Sequence, residues 1–298
     1  MKADDGAGWS QWPAPAKLNL MLRIVGRRAD GYHRLQTVFQ LLDRGDTIAL
    51  RLRRDGRVRC LAPTPGVGPE QDLVTRAARR LAREAPAVPG VDIRVGKRIP
   101  AGGGFGGGSS DAATVLRALD RLWSLGLGED RLAAIGLELG ADVPVFVRGH
   151  SAWAEEVGER LRPLALPPRW FLLLDPGVHV STAELFQAPD LTRDARPVTI
   201  ADFVSGRCVE NAFQPVVSAR LPRVAAALEA LSRFGPARLT GSGGGCFVAF
   251  QDRGQAEAAR VALAPAWRVW LARGVDRSPL LAALDRAGNV NPGASPSG

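Results

Sequence analysis

The sequence predicts an α+β protein of two domains. Its 298 residues are enough for two domains or for one large one. Strand patterns cluster at both ends of the chain and alternate irregularly with helical patterns, which argues against a doubly wound parallel sheet. The late order of strand, helix, strand, strand, helix and strand is typical of a split βαβ unit.

The first part of the chain is a group of predicted strands. Residues 17–25 alternate polar and apolar side chains, as a half-buried strand does. Further strands are predicted over 32–40, 46–52, 57–61 and 91–99, and a helix over 72–85. A glycine-rich segment follows the last of these strands.

Helices and strands then alternate to the end of the chain. Helices are predicted over 110–123, 129–139, 181–186, 209–234 and 255–263. Strands are predicted over 140–147 after a turn, 151–164 as a pair, 170–174, 238–240, 246–250 and 267–274. We expect a flexible arm over 1–12, one domain over 13–158, a second domain over 159–287 and a disordered tail over 288–298.

Composition narrows the class of protein. The formal charge is +9, and 36 of the 39 basic residues are Arg. No basic run is interleaved with aromatic residues, so we expect no nucleic-acid partner. No apolar run reaches the roughly 18 residues of a membrane helix, and the first residues do not resemble a signal peptide. The widely spaced Cys60, Cys208 and Cys246 favour a location in the reducing cytoplasm. We also expect a monomer or homodimer without a membrane partner.

The stretch from Pro100 to Asp111 is the strongest functional signal. Six of the seven positions 102–108 are Gly, and Ser109 and Ser110 follow directly. Glycine is used where φ must be positive or where a ligand approaches the backbone closely. A purely structural turn needs only about one or two glycines, so we predict a phosphate cradle before a helix that Ser109 or Ser110 caps.

Three familiar phosphate loops do not fit this stretch. A Walker A loop needs Gly-Lys-Ser/Thr, but Gly108 is followed directly by Ser109. A Rossmann site requires an acid at the end of the next strand, and here that region is predicted to be helical. Protein kinases carry His-Arg-Asp and Asp-Phe-Gly motifs, which the sequence lacks.

The pattern Pro-x-Gly-Gly-Gly-x-Gly-Gly-Gly-Ser-Ser, with a strand before it and a helix after it, resembles the signature loop of the GHMP small-molecule kinases. Residues 15–20 (Pro-Ala-Lys-Leu-Asn-Leu) and 239–245 (Leu-Thr-Gly-Ser-Gly-Gly-Gly) agree with this resemblance. It implies a kinase with an N-terminal, ribosomal-protein-S5-like ATP-binding domain and a C-terminal ferredoxin-like domain. Residues 30–33, 139–146 and 175–178 most resemble the branch acting on 4-diphosphocytidyl-2-C-methyl-D-erythritol in the non-mevalonate isoprenoid pathway.

The resemblance implies roles for individual residues. Asp142 would be the catalytic base, and Lys17 would lie beside it, keep that carboxylate ionised and steady the substrate hydroxyl. Mg²⁺ would arrive with ATP. The ATP-binding residues would be Lys97, Pro100, Ala101, Gly102, Gly103, Gly104, Phe105, Gly106, Gly107, Gly108, Ser109 and Ser110. The substrate-binding residues would be Asn19, Tyr32, His33, Phe186, Gly241, Ser242 and Gly243, with Tyr32 and Phe186 on the two faces of cytosine.

Other readings stay open at the level of the residues. Asp142 alone could be a turn residue, Lys17 a surface lysine of a strand, and Phe186 part of the core. Asp72 stands where the family commonly has Asn, so we assign it no role. Another small-molecule kinase of the family is the nearest alternative function. A non-catalytic, basic nucleotide-binding protein is a remote alternative.

Overall fold

The computed structural model describes residues 8–62, 68 and 70–289. Within these residues the strands are β1 (Trp9–Arg27), β2 (His33–Arg53), β3 (Val58–Ala62), β4 (Gly90–Gly96), β5 (Ala152–Glu156), β6 (Arg160–Pro163), β7 (Trp170–Asp175), β8 (Arg238–Leu239), β9 (Cys246–Phe250) and β10 (Arg268–Val275). The helices are α1 (Leu73–Leu81), α2 (Gly107–Leu122), α3 (Gly128–Leu139), α4 (Val143–Arg148), α5 (Thr182–Gln187), α6 (Ile200–Val204), α7 (Gln214–Arg220), α8 (Pro222–Ser232), α9 (Arg253–Leu263) and α10 (Pro279–Asn289). In this part of the chain, no helix has both the length and the apolar character needed to cross a membrane.

Strand β2 is the centre of the first sheet because it pairs along both edges. Strand β1 pairs antiparallel with β2 along most of the length of β2, from Arg27 opposite His33 to Trp9 opposite Arg51. On the other edge, β5 pairs with the first half of β2 and β4 with the second half. Strand β3 adds parallel to β4, and β6 adds antiparallel to β5.

The expected break between strands 32–40 and 46–52 does not occur, because β2 runs through it. Gly45 permits this continuity: a Cβ atom there would lie 2.0 Å from the carbonyl oxygen of Ala14 on β1. The extra residues of β2 at this point are accommodated by a register shift between Pro15 and Lys17 of β1. The residues between 40 and 46, which resemble a turn in sequence, are therefore part of one long strand.

The second sheet has the order β10-β7-β9-β8, and all of its pairs are antiparallel. Helices α5–α8 connect β7 to β8, and α9 connects β9 to β10. This is the ferredoxin-like arrangement, and it confirms the predicted split βαβ unit. Gly274 and Val275 of β10 also pair with Leu42 and Leu41 of β2, so the two sheets are joined.

Three apolar clusters hold these layers together. The first packs α1–α4 and α10 against the first sheet, and the second packs α5 and α7–α9 against the second. The third lies between the two sheets and contains Phe105, which is 1% exposed. Burying such a side chain contributes about 1.5–3 kcal/mol, so Phe105 anchors the glycine-rich segment to the protein interior.

The predicted strand after Gly140 is wrong, because Val143–Arg148 form the helix α4. Pro144 lies in its first turn, where proline is well tolerated, and Gly149 follows its end with φ +68°. Residues 143–147 are all buried against neighbouring helices. A short, continuously apolar run does not distinguish a buried strand from a buried helix.

The ends of the predicted domains also differ from the structure. Residues 9–12 belong to β1, and Trp12 is buried, so they are not part of an arm; residues 1–7 lie outside the described residues. Strand β6 lies beyond the predicted boundary at 158 but pairs within the first sheet. Helix α10 returns to the first cluster through Leu280. Of the predicted tail, 288 and 289 end α10, and 290–298 lie outside the described residues. The domain division stays a prediction.

Candidate active site

A cleft of about 1770 Å³ brings together residues from both halves of the chain. Of the residues predicted from the sequence, it is lined by Lys17, Asn19, Tyr32, His33, Lys97, Pro100, Ala101, Gly102, Gly103, Gly104, Phe105, Gly106, Gly107, Gly108, Ser109, Asp142, Phe186, Gly241, Ser242 and Gly243. Ser110 is the exception, since it is fully buried. The grouping is a structural finding, whereas the roles of the residues stay predictions.

The glycine-rich loop, residues 102–108, has a backbone that only glycine adopts easily. Gly102, Gly104 and Gly106 have φ values of +73°, +78° and +75°. Helix α2 begins at Gly107, directly after the last of these. The first N–H groups of a helix lack partners within it, and the helix dipole favours negative charge there. The loop therefore ends in a site suited to phosphate.

Part of the glycine content serves packing rather than ligand binding. A Cβ atom on Gly104 would lie 2.1 Å from the carbonyl oxygen of Thr240, and one on Gly243 would lie 2.3 Å from the amide nitrogen of Gly104. The amide of Gly245 donates to the carbonyl of Gly103 at 3.0 Å. The two glycine-rich segments thus touch through their backbones. Gly108, by contrast, is exposed.

The expectation that Ser109 or Ser110 caps α2 is wrong. The capping residue is Gly106, and no side chain bonds the end of the helix. Ser109 is half-buried and lines the cleft, beside Gly140. Ser110 is buried, and its hydroxyl has no hydrogen-bond partner. Ser109 is therefore the serine placed to meet a ligand.

Lys17 and Asp142 form an ion pair in the cleft. Lys17 Nζ lies 3.1 Å from Asp142 Oδ2, and also donates to Asn19 Oδ1 at 2.5 Å and to the carbonyl of Gly104 at 3.0 Å. Lys17 is 2% exposed and Asp142 is 35% exposed. Asp142 occupies the capping position of α4 but its side chain makes no capping bond, which leaves the carboxylate directed to other partners.

A buried hydrogen-bond network fixes Asn19 beside this ion pair. Its Nδ2 donates to Thr37 Oγ1 at 2.8 Å, and its backbone amide donates to Thr240 Oγ1 at 3.0 Å. The Thr37 hydroxyl in turn donates to the carbonyl of Met21 at 2.5 Å. Asn19 also accepts a hydrogen bond from Lys17, so the network fixes the position of the lysine ammonium group.

Lys97 joins two buried carboxylates beneath the glycine-rich loop. Its Nζ lies 2.5 Å from Asp46 Oδ2 and 2.9 Å from Asp111 Oδ2. Burial lowers the pKa of Lys97, but the two carboxylates outweigh this and raise it. Burial raises the pKa of Asp111 to about 7, against the opposing effect of Lys97. The predicted role of Lys97 in ATP binding stays a prediction, and the structure adds this ion-pair role.

Tyr32, His33 and Phe186 all line the cleft. Tyr32 is 65% exposed, and the His33 ring stacks on Phe186 with centroids 4.7 Å apart and an angle of 17°. Phe213 supports Phe186 edge-on at 5.0 Å. Burial lowers the pKa of His33, and the charge of Arg193 lowers it further. In this arrangement His33 covers one face of the Phe186 ring, so that face is not open to a base.

The second glycine-rich segment lines the cleft beside the glycine-rich loop. Gly241 has φ +60°, and its carbonyl accepts from Asn211 Nδ2 at 2.9 Å. The Ser242 hydroxyl lies 2.6 Å from Thr182 Oγ1 at the start of α5. The segment therefore connects the loop with the helix that carries Phe186.

Sequence reasoning missed the supporting residues of the site. These are Thr37, Asp46, Asp111, His179, Arg193 and Thr240. Asp111 and Thr240 adjoin the two glycine-rich segments, which could have drawn attention to them. Asp46 carries no comparable signal, because its pairing with Lys97 depends on strand register. Asp72 caps α1 by accepting from the amide and hydroxyl of Thr75 at 3.2 and 2.6 Å.

Comparison with known proteins places this site in a family. The family model for the GHMP kinases N terminal domain matches residues 72–150, and that for the GHMP kinases C terminal region matches 191–268. A 4-diphosphocytidyl-2-C-methyl-D-erythritol kinase of Xanthomonas euvesicatoria pv. vesicatoria is 62% identical over 94% of this chain and 95% of its own length. The kinase of the same name from Halorhodospira halophila is 58% identical over 94% and 98%.

Solved structures agree with this placement. The crystal structure of a 4-(cytidine 5'-diphospho)-2C-methyl-D-erythritol kinase matches with a TM-score of 0.78 and 33% identity, covering 89% of this chain and 99% of that one. A homoserine kinase from Cytophaga hutchinsonii shares the fold, with a TM-score of 0.65 and 16% identity over 93% and 98%. The chain therefore belongs to the GHMP kinase family and, within it, to the group of the 4-diphosphocytidyl-2-C-methyl-D-erythritol kinases.

Proposed function

We propose that this protein transfers the γ-phosphoryl group of ATP to the 2-hydroxyl of 4-diphosphocytidyl-2-C-methyl-D-erythritol. The observation that carries the proposal is the Lys17–Asp142 ion pair in the same cleft as the glycine-rich loop. A carboxylate able to take a hydroxyl proton thus shares a cleft with a helix N-terminus suited to phosphate. Relatives at 62% and 58% identity over nearly the whole chain support the choice of substrate.

In the proposed reaction, Asp142 accepts the proton of the substrate hydroxyl. The hydroxyl oxygen forms a bond to the γ-phosphorus, and the bond from that phosphorus to the β,γ-bridging oxygen breaks, so ADP leaves with the electron pair. The positive charge of Lys17, which lies beside Asp142, offsets the negative charge that develops on the reacting oxygens. Because Asn19 and Gly104 hold its ammonium group, little reorganisation is needed.

Mg²⁺ belongs to this proposal as part of the ATP substrate. Within the described residues, no group of three or more His, Cys, Asp or Glu is arranged to hold a metal. Mg²⁺ bound with nucleotides keeps several waters and takes most of its other ligands from phosphate. It neutralises phosphate charge, and the half-buried Ser109 hydroxyl is the protein oxygen that we propose beside it.

The substrates would occupy the two ends of the cleft. We assign the glycine-rich loop and Lys97 to ATP, and Tyr32, His33 and Phe186 to the cytosine ring. Stacking suits any base, so hydrogen bonding between His33 and the base edge would select cytosine. Asn19 and residues 241–243 would contact the methylerythritol diphosphate part. For the base to stack on Phe186, the His33 ring must move away from it.

A cytoplasmic location and a monomer or homodimer are further parts of the proposal. The three widely spaced cysteines support the location, because disulfides are rare in a reducing cytoplasm.

The proposal is tested by measuring ADP release with the cytidine substrate in a coupled assay. Mevalonate, homoserine and galactose serve as alternative acceptors in the same assay. We expect turnover with the cytidine substrate alone. Folded protein that releases no ADP with it, or that prefers another acceptor, would contradict the proposal.

A further inference from the structure

Arg193 holds the end of helix α5 through an unusually complete set of hydrogen bonds. Its guanidinium donates to the carbonyl of Phe186 at 2.8 and 3.3 Å, to Ala188 at 2.6 Å and to Leu191 at 3.0 Å. The last carbonyls of a helix lack partners within it, so a planar guanidinium satisfies several of them at once. The backbone of Phe186 is therefore fixed from the side of the following turn.

The charge of Arg193 also acts on His33, the ring that stacks on Phe186. Arg193 takes part in none of the ion pairs within the described residues. His33 stacks on Phe186, and its Nε2 is buried without a hydrogen-bond partner. The charged groups acting on this imidazole are Arg193 and, from β1, Arg27, which pairs with His33 in the sheet. From α5 the imidazole meets an uncharged ring. All of these effects favour the neutral imidazole.

We propose that Arg193 is a positioning residue for the base-binding end of the cleft: its guanidinium fixes the backbone of Phe186, and its charge adds to the burial of the His33 ring in opposing protonation of that imidazole. A neutral imidazole carries one donor and one acceptor, whereas a protonated one only donates. Only the neutral ring can accept a hydrogen bond from the exocyclic amino group of cytosine. The inference rests on the proposed function, because it assigns the base to His33 and Phe186.

Two substitutions separate the two tasks of Arg193. Arg193→Lys keeps the positive charge but loses the planar set of donors, so it should loosen Phe186 and leave His33 neutral. Arg193→Gln loses the charge, so the His33 pKa should rise towards its ordinary value of 6.5. Arg220→Gln is the matched control, because Arg220 pairs with Asp190 in the same segment but does not line the cleft.

The first measurement is an NMR titration of the imidazole signals of the full-length protein. The chain has three histidines, so His33→Asn assigns the His33 signal by its loss. We expect the His33 midpoint to move to higher pH in Arg193→Gln and to stay in place in Arg193→Lys and Arg220→Gln. An unchanged His33 midpoint in Arg193→Gln would show that Arg193 does not influence the protonation of His33, whatever the activity of the enzyme.

The second measurement compares the KM values for the two substrates. For both Arg193 variants we expect KM for the cytidine substrate to rise about tenfold, with KM for ATP and kcat within about twofold of the wild type. In Arg193→Gln alone, the loss of cytidine-substrate affinity in acid should begin at higher pH. Equal changes in both KM values, or a fall in kcat that follows thermal stability, would reduce Arg193 to a structural residue.

The design keeps the inference separate from the proposed function. If the wild type does not phosphorylate the cytidine substrate, the function fails, but the NMR titration still decides the effect of Arg193 on His33. If Arg193→Gln does not fold, Arg193→Lys still tests the positioning of Phe186 through KM. His33→Asn then tests whether His33 causes the loss of cytidine-substrate affinity at low pH, because this variant should not show that loss.

Discussion

Lys17 Nζ lies 3.1 Å from Asp142 Oδ2, and this contact joins β1 to the start of α4. An ammonium group has three donors, and Asn19 and the carbonyl of Gly104 take the other two. The lysine is buried, whereas the carboxylate is 35% exposed and lines the cleft. The pair therefore consists of a fixed cation and an accessible base.

Replacing Asp142 with Asn should remove the proton acceptor while keeping the shape of the side chain. We expect kcat to fall by about 10²–10⁴. The Kd for ATP, measured by calorimetry, should stay within about twofold of the wild type, because backbone groups of the glycine-rich loop bind phosphate.

The control for this variant is Asp130→Asn, since Asp130 is 91% exposed and pairs with Arg148 away from the cleft. Its kcat should match the wild type. If Asp142→Asn kept more than about a tenth of the wild-type kcat, the base would have to be another group.

Replacing Tyr32 with Ala should weaken binding of the cytidine substrate alone. The side chain is 65% exposed, so stability should change little. Losing one aromatic surface from a stacked base costs about 1–3 kcal/mol, which corresponds to a rise in KM of about 5-fold to about 150-fold. Steady-state kinetics with each substrate varied in turn measure this.

Val204→Ala is the control for Tyr32→Ala, because Val204 is 68% exposed and does not line the cleft. Neither KM should change in it. A rise confined to KM for ATP in Tyr32→Ala would show that the two ends of the cleft have been assigned in reverse.

Alanine at Gly104 should destabilise the protein, whereas alanine at Gly108 should not. A Cβ atom at Gly104 would meet the carbonyl of Thr240 at 2.1 Å, on a residue with φ +78°. At Gly108 the nearest heavy atom is a methyl carbon of Leu73 at 3.4 Å, and the residue is helical. Denaturant unfolding should show a loss of about 1–3 kcal/mol for Gly104→Ala and none for Gly108→Ala.

Because Gly108 is exposed in the cleft, its alanine variant should still raise KM for ATP. Equal stability of the two variants would contradict the direct packing of the two glycine-rich segments.

Asp111 should make the protein less stable as the pH rises. Its pKa is about 7 in the folded state and its ordinary value is 3.8, so between these values the unfolded chain has lost a proton that the folded protein keeps. The free energy of unfolding should fall across this window, by up to about 1.4 kcal/mol per pH unit. Asp111→Asn cannot titrate and should lack this decline.

Urea unfolding of both proteins between pH 4 and 7 measures the difference. The window follows from the ordinary and raised pKa values of Asp111. Parallel stability curves for the two proteins would mean that Asp111 is ionised in the folded state throughout this range.

Much of the fold could be predicted because its signals are local. The hairpin of β5 and β6, the apolar strand β7 and the helix after Ser181 all carry turn, cap or periodicity signals within a few residues. Helix α4 was missed because burial on all sides removes periodicity. The continuity of β2 was missed because it depends on how β1 packs at Gly45.

The grouping of the site residues followed from the family resemblance, but their supporting contacts could not. Lys97 pairs with Asp46 and Asp111 only because β2, the end of β4 and α2 meet in three dimensions. The contact between the two glycine-rich segments is likewise tertiary. Neither contact leaves a pattern in the sequence, so each required the structure.

The account is tested most directly by phosphorus NMR of the product formed from ATP and 4-diphosphocytidyl-2-C-methyl-D-erythritol. The carbon that bears the 2-hydroxyl also bears the methyl group and carries no hydrogen. We therefore expect a new phosphomonoester signal that is not split by a proton on the neighbouring carbon. A doublet or triplet would place the phosphate on another hydroxyl, and no new signal would mean no transfer; either result would contradict the account.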